Sequence, residues 1–342
     1  IIWAILITSL SISTIITMSS HHWMLAWLGL ELNTLSALPI IMKPHHPRST
    51  EATMKYFLVQ TLAAALILFA STMNAWQTGS WDITNPTPHT TTLLTLAILL
   101  KLGVAPVHLW YPDVLQGTTL NTALLISTWQ KLAPLALLYM LHTNLPTNLL
   151  LTTGLLSALL GGWAGLNQTQ TRKIMAHSSI AHMGWILIAL TMNPQLTTLT
   201  LTTYMIMTTA MFLKLSATMT KTITDMGTAW STSPMMMTLA LLTLTSLGGI
   251  PPLTGFMPKL LILNELTSKP LLPAATALAL ASLPSLFFYI RMAYTTTLTA
   301  PPNTTNTEHK WRFKTTPTLT PTPTATLALL LMPLTPTLWT TT

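Results

Sequence analysis

Cysteine is absent from the 342 residues, which excludes disulfides, thiol catalysis and iron–sulfur clusters held by cysteine thiolates. Charge is nearly as scarce. Only 6% of the residues are Asp, Glu, Lys or Arg, whereas a soluble domain carries about 25%. The alternating segments of an outer-membrane barrel are missing as well. So are a nucleophile triad, a phosphate-binding glycine loop and a flavin site. The first residues already form an apolar span, with no cleavage site or Arg-rich pattern, so no removable presequence is expected.

Half of the residues are hydrophobic. They lie in runs that repeatedly exceed the ~20 residues a membrane-spanning helix needs. An all-α polytopic membrane protein is therefore expected. Hydropathy and turn signals give about eleven spans, near 1–18, 23–42, 52–76, 91–111, 121–141, 149–166, 174–192, 197–219, 234–265, 271–294 and 323–341. Threonine is tolerated in these runs because its hydroxyl can bond back to a carbonyl of its own helix.

The loop charges support that count. If each span crosses once, the side of the N-terminus receives Lys43, Arg48, Lys55, Arg172, Lys173, Lys221, Arg291, Lys310, Arg312 and Lys314. The other side receives Lys269 alone. This asymmetry marks the N-terminal side as the positive, cytoplasmic or matrix face. Formal net charge +8 is thereby explained by topology, and no nucleic-acid partner is expected. Trp3, Trp23, Trp110 and Trp339, near span ends, read as interfacial anchors. Pro301–Pro323 reads as a Thr/Pro-rich surface strap.

Five ionisable residues fall inside predicted spans: Glu31, Lys101, Lys131, Lys214 and Lys259. A charge at the bilayer centre costs ~2.5–3.5 kcal/mol on insertion scales, so such residues are functional-site candidates. Two of them flank helix breaks. LLTLAILLKLGVAPVHLWYP carries Lys101 before Gly103 and Pro106, and SLGGIPPLTGFMPKLLI carries Lys259 after Gly248, Gly249, Pro251, Pro252, Gly255 and Pro258. Freed backbone groups at that depth survive only where protein or a polar cavity covers them. Each break falls in the fourth span of a five-span block. A five-span unit is odd, so its repeat enters from the opposite face, as in transporters built from inverted repeats with discontinuous helices. The expected domains are 1–141 and 142–294 as the two repeats, and 295–342 as a surface connector with a C-terminal helix.

Lys214 lies towards one end of its span and could snorkel to the interface. His182 is a proton-relay candidate, with a hydrogen-bonded core histidine as the alternative. His177, five residues earlier, does not share its helix face. No carboxylate or cysteine accompanies the pair, so no metal site is expected. His108 follows Pro106 in the broken span and could extend a proton wire. His21, His22, His45 and His46 read as loop residues.

HHWMLAWLGLELNTLSALPI, HHPRSTEATMKYFLVQ, LKLGVAPVHLWYPDVLQG, STWQKLAP, GGWAGLNQTQTRKIMAHSSIAHMGW and GGIPPLTGFMPK together resemble the NADH dehydrogenase subunit 2 family. These are antiporter-like membrane subunits of mitochondrial respiratory complex I, and the resemblance covers nearly the full length. It implies a proton channel whose axis takes in Glu31, Lys101, Lys131, His182 and Lys259, with Lys214 and His108 as further candidates. It also implies that the chain binds no cofactor, since NADH, FMN, iron–sulfur clusters and ubiquinone belong to the rest of the complex. The implied partners are other membrane-arm subunits, inner-membrane lipids and protons. The implied location is the mitochondrial inner membrane, with the N-terminus in the matrix and the C-terminus in the intermembrane space. Two other readings use the same residues: an Mrp-type cation/proton antiporter subunit, and a scaffold that does not pump.

Overall fold

The computed structural model describes residues 2–298 and 321–335. These are helical almost throughout and hold no named strand, only two isolated β-bridges, His22 with Asp82 and Gln170 with Thr222. The helices are α1 (Ile2–Ser19), α2 (Trp23–Met42), α3 (Pro47–Thr78), α4 (Pro88–Leu102), α5 (Trp110–Gly117), α6 (Leu120–Ser127), α7 (Leu132–Met140) and α8 (Thr147–Gly165). They continue with α9 (Thr171–Met192), α10 (Pro194–Thr218), α11 (Ile223–Thr232), α12 (Pro234–Gly248), α13 (Phe256–Ser268), α14 (Leu272–Leu298) and α15 (Pro321–Leu330). Eight spans among the described residues are long and apolar enough to cross a membrane. The fourth and ninth predicted spans add the two broken ones, α4/α5 and α12/α13. The eleventh predicted span is described only to residue 335; its remainder, with Trp339, lies outside the described residues, as does most of the Pro301–Pro323 strap.

Local chemistry sets the helix starts. Two histidines read as plain loop residues prove to be caps. His22 Nδ1 accepts the Met24 N–H at 3.2 Å at the head of α2. His46 Nδ1 accepts the Arg48 N–H at 3.2 Å, and Ser49 Oγ takes the His46 N–H in a reciprocal capping box with Pro47 at the first position, where proline costs no hydrogen bond.

The fifth predicted span is not continuous, contrary to expectation. A 3₁₀ turn over Trp129–Lys131 separates α6 from α7. Pro134 is the physical reason: it offers no N–H to the Gln130 carbonyl four residues back, and its ring crowds that carbonyl. The reading of Trp23 and Trp110 as interfacial anchors is also corrected. Trp23 is fully buried and Trp110 nearly so, whereas Trp3 remains exposed and lies 4.0 Å from Lys43 Nζ in a cation–π contact.

The chain forms two contact units, Ile1–Leu156 and Ser157–Thr342. Their boundary falls inside α8, fifteen residues beyond the 141/142 boundary that the sequence pattern places between the repeats. In the first unit α1 packs on α2, α2 on α3, and α3 on both α4 and α5. In the second, α10 packs on α9, α12 and α15, and α14 packs on α11 and α12. Thr254, in the break of the ninth span, donates to the Ala328 carbonyl of α15.

Candidate functional site

Both breaks close in the same way. At the end of α4, Gly103 takes a left-handed φ of 69°. Its N–H reaches the Leu100 carbonyl at 3.2 Å, while Val104 N–H reaches Leu99 at 3.2 Å. At the end of α12, Gly249 takes φ 80°. Gly249 N–H reaches Ser246 at 3.0 Å and Ile250 N–H reaches Thr245 at 3.4 Å. This paired pattern is a Schellman cap, which favours glycine because the left-handed residue needs no Cβ. Each half-helix therefore stops inside the apolar span with the negative end of its dipole exposed to whatever lies beyond it.

In the first unit that end is occupied by Lys101, in the last turn of α4. The side chain is 6% exposed, and its Nζ has no hydrogen-bond partner among the described residues. Glu31 of α2 is half-buried and accepts the Thr34 hydroxyl at Oε2, 2.9 Å away. It does not itself line the cavity beside Lys101, although Asn33 and Thr34 of the same helix do. Lys131, in the 3₁₀ turn, is 3% exposed, with Nζ 4.9 Å from the centroid of the Tyr111 ring. Both lysines line one small cavity of about 20 Å³, together with Asn33, Tyr56, Gln60 and Tyr111. Gln60 Nε2 donates to the Lys101 carbonyl at 3.3 Å, fixing one wall. Asn33 Oδ1, Trp110 Nε1 and Gln130 Nε2 are buried polar atoms on lining residues, with no protein partner among the described residues. Such atoms call for water, and the cavity has room for one beside them. His108 stays off that cavity; it is buried in the loop after the break, with Nδ1 3.2 Å from the Pro106 carbonyl.

In the second unit Lys259 comes from the first turn of α13 and reaches back to the end of α12. Its Nζ donates to the Gly248 carbonyl at 2.9 Å and lies 6.0 Å from the Trp185 ring. His182 of α9 is half-buried, its ring centroid 5.7 Å from that of Tyr204 on α10. His182 and Lys259 line a second small cavity of about 20 Å³, with Trp185, Thr200, Thr203 and Tyr204. His177 is buried on another face of α9, beside Gly165 of α8. Lys214 does not snorkel. It is 1% exposed and donates to the Leu239 carbonyl at 2.8 Å and to Thr243 Oγ1 at 3.0 Å, both on α12. It does not line the second cavity.

Sequence reasoning missed the uncharged part of both cavities. Gln130 next to Lys131, and Tyr111 beside Trp110, carried a local signal, being polar-tipped residues in apolar surroundings. Gln60, Thr200 and Tyr204 carried none beyond their burial. It also missed a half-exposed ion pair cluster in which Lys55 Nζ lies 2.8 Å from Asp113 Oδ2 and 2.8 Å from Glu51 Oε1. Among the described residues no three His, Asp or Glu side chains stand close enough to hold a metal ion.

Buried lysines placed at the capped ends of interrupted membrane helices define an antiporter-like membrane protein, and the comparisons agree. Residues 20–283 match the family described as NADH:quinone oxidoreductase/Mrp antiporter, and residues 286–339 match the NADH dehydrogenase subunit 2 C-terminus. The NADH-ubiquinone oxidoreductase chain 2 of Carassius auratus is 53% identical over 340 residues, covering 99% of this chain and 98% of its own. That of Xenopus laevis is 53% identical over 315 residues, covering 91% of each. Among solved structures, a chain of respiratory complex I from Thermus thermophilus with bound aureothin superposes with a TM-score of 0.84 at 25% identity. The match covers 98% of this chain and 78% of that one. The Mrp complex of Dietzia, at TM-score 0.77 and 18% identity over 84% of this chain and 59% of that one, shares the fold. The chain belongs to the NADH-ubiquinone oxidoreductase chain 2 family.

Proposed function

We propose that this chain is a proton-translocating membrane subunit of NADH:ubiquinone oxidoreductase. The observation that carries the reading is the placement of a buried lysine in a small cavity beside each interrupted helix, among apolar walls that carry a few polar groups: Lys101 by α4 and Lys259 by α12. A lysine held there exchanges a proton with water, and the neighbouring charges and dipoles set how readily it does so. In the first unit the Glu31 charge, Lys101 and Lys131 form one electrostatic station. A change at Glu31 alters the hold of Lys101 on its proton, and then that of Lys131 in the shared cavity. In the second unit His182 and Lys259 form the other station. Lys214 holds a proton donated to two acceptors of α12 and takes no part in either cavity; His108 is a loop residue.

Moving one proton against ~100 mV costs roughly 2.3 kcal/mol. A change of one or two units in proton affinity, at about 1.36 kcal/mol each, is of that order. Electron transfer, with NADH, FMN, iron–sulfur clusters and ubiquinone, belongs to other subunits, which are also the partners in the membrane arm. The loop-charge asymmetry supports an N-terminus on the matrix side of the mitochondrial inner membrane and a C-terminus opposite. The five-span pattern supports inverted repeats, each with one broken helix.

The test is NADH-driven proton uptake by the reconstituted complex carrying Lys131→Ala. Loss of uptake with the complex fully assembled is expected; undiminished pumping overturns the reading. Sodium-dependent transport in place of proton uptake would favour the Mrp-type alternative.

A further inference from the structure

α5 is the short second half of the first broken span, and it is held to α3 at three successive points. A Cβ on Gly117 would meet Ala52 Cβ and the Arg48 carbonyl, each at 2.6 Å, so the two backbones touch there. One turn earlier Asp113 Oδ2 lies 2.8 Å from Lys55 Nζ. A further turn back the Trp110 ring packs on Tyr56 at 6.0 Å between centroids. The other side of α5 presents Tyr111, packed edge-on against Trp110 at 5.7 Å and lying under Lys131 Nζ at 4.9 Å. The proton-bearing lysine therefore rests on a ring whose position is set by how α5 seats on α3. Of the three fixings, only the ion pair is polar and reversible. Lys55 is shared, since Glu51 Oε1 also lies 2.8 Å from its Nζ, so the lysine has a second carboxylate to turn to when Asp113 lets go.

We propose that Asp113 and Lys55 are positioning residues for proton transfer, seating α5 so that Tyr111 supports the ammonium group of Lys131. The inference rests on the proposed role of Lys131. Neither Asp113 nor Lys55 lines the cavity, so they act on the proton only through α5. A ring under an ammonium favours its charged form through the quadrupole of the π face. Releasing α5 withdraws that support and weakens the hold on the proton.

The test uses the assembled complex in proteoliposomes, measuring proton uptake driven by NADH oxidation and the amount of assembled complex. The variants are Asp113→Asn, Asp113→Glu, Lys55→Met, Tyr111→Leu and the double variant Asp113→Asn/Tyr111→Leu. Asp113→Asn and Lys55→Met should each lower uptake, by up to about 100-fold, the scale of a ~1 Å misplacement acting from a distance. Asp113→Glu, which restores the charge, should recover most of it. The double variant should be no worse than Tyr111→Leu alone, because both changes cut one line of support. Losses that multiply in the double variant overturn the inference. So does wild-type uptake in Asp113→Asn, and so does failure of both Asp113→Asn and Lys55→Met to assemble, which would make the pair purely structural. Lys131→Ala in the same series separates the two claims: if it pumps normally, the proposed function has failed and not merely the role of α5.

Discussion

Lys259 donates its Nζ hydrogen to the Gly248 carbonyl at 2.9 Å, so the second half of the interrupted span caps the first half across the break. Lys101 stands differently. It belongs to the helix that ends, and its Nζ makes no hydrogen bond among the described residues. Two lysines with one expected role thus differ in what their removal should cost.

Lys259→Ala should lose both function and stability. Removing the ammonium leaves the Gly248 carbonyl unpaired at the end of a helix inside an apolar span, a penalty of about 1–3 kcal/mol. Thermal inactivation of the assembled complex should shift down, and proton uptake should be lost. Unchanged thermal stability would mean that water or another group caps α12 equally well.

Lys101→Met should separate the two effects. It removes a buried charge that costs ~2.5–3.5 kcal/mol on insertion scales, and it breaks no hydrogen bond. Assembly and thermal stability should match or exceed those of the unaltered protein, while NADH-driven proton uptake falls. A marked loss of stability would show that Lys101 is a packing residue.

That contrast also shows how far the sequence could be read. The breaks were legible because Gly103, Gly249 and the prolines forbid continuous helix, and the lysines because charge in an apolar run is conspicuous. That Lys259 caps the preceding half-helix while Lys101 caps none was not legible, since that depends on the direction in which a flexible side chain turns. Lys214 was left open for the same reason. Its sequence position allowed the membrane surface or the interior, and Leu239 and Thr243 of another helix hold it inside. Cavity walls such as Gln60 and Tyr204 were invisible because uncharged residues carry no insertion penalty large enough to flag them.

Gly249→Ala should strain the second break. At φ 80° an L-residue costs about 1–2 kcal/mol. Its Cβ would also lie 3.0–3.2 Å from Nζ, Cδ and Cε of Lys259. The side chain can move, but only by giving up the Gly248 carbonyl. Proton uptake should fall more than thermal stability does, and uptake equal to the unaltered protein would count against a placed Lys259.

Asp225 gives a prediction outside the membrane, at the start of α11. Burial raises its carboxyl, but the backbone and side chain of Thr222 and the backbone of Lys221 lower it further, leaving it below the usual carboxylate range. Its Oδ2 accepts N–H groups from Thr222 at 2.9 Å and Lys221 at 3.1 Å. A depressed folded value means that the stabilisation is complete above the ordinary carboxylate pKa of about 3.9 and fades as pH falls through the folded value. Protection of the Thr222 and Lys221 amides, measured against their intrinsic exchange rates, should therefore hold from neutral pH down to mild acid and be lost only below it. Asp225→Asn should reduce that protection at neutral pH and remove its pH dependence.

Pro134→Ala tests whether the third interruption is used. Proline at this position removes the hydrogen bond to the Gln130 carbonyl and forces the 3₁₀ turn that carries Lys131. Alanine restores the donor, and α6 and α7 can then join. Three residues converted from 3₁₀ to α geometry change the winding by about 60°. That is enough to turn Lys131 off the Tyr111 ring and out of the wall it shares with Lys101. Helix propensity favours the change, so the variant should be as stable as the parent or more so while proton uptake drops. Stability is the informative control: a loss of pumping without a loss of fold would mean that the break exists to aim a lysine. Full pumping with a healed helix would mean that Lys131 works wherever its side chain happens to point.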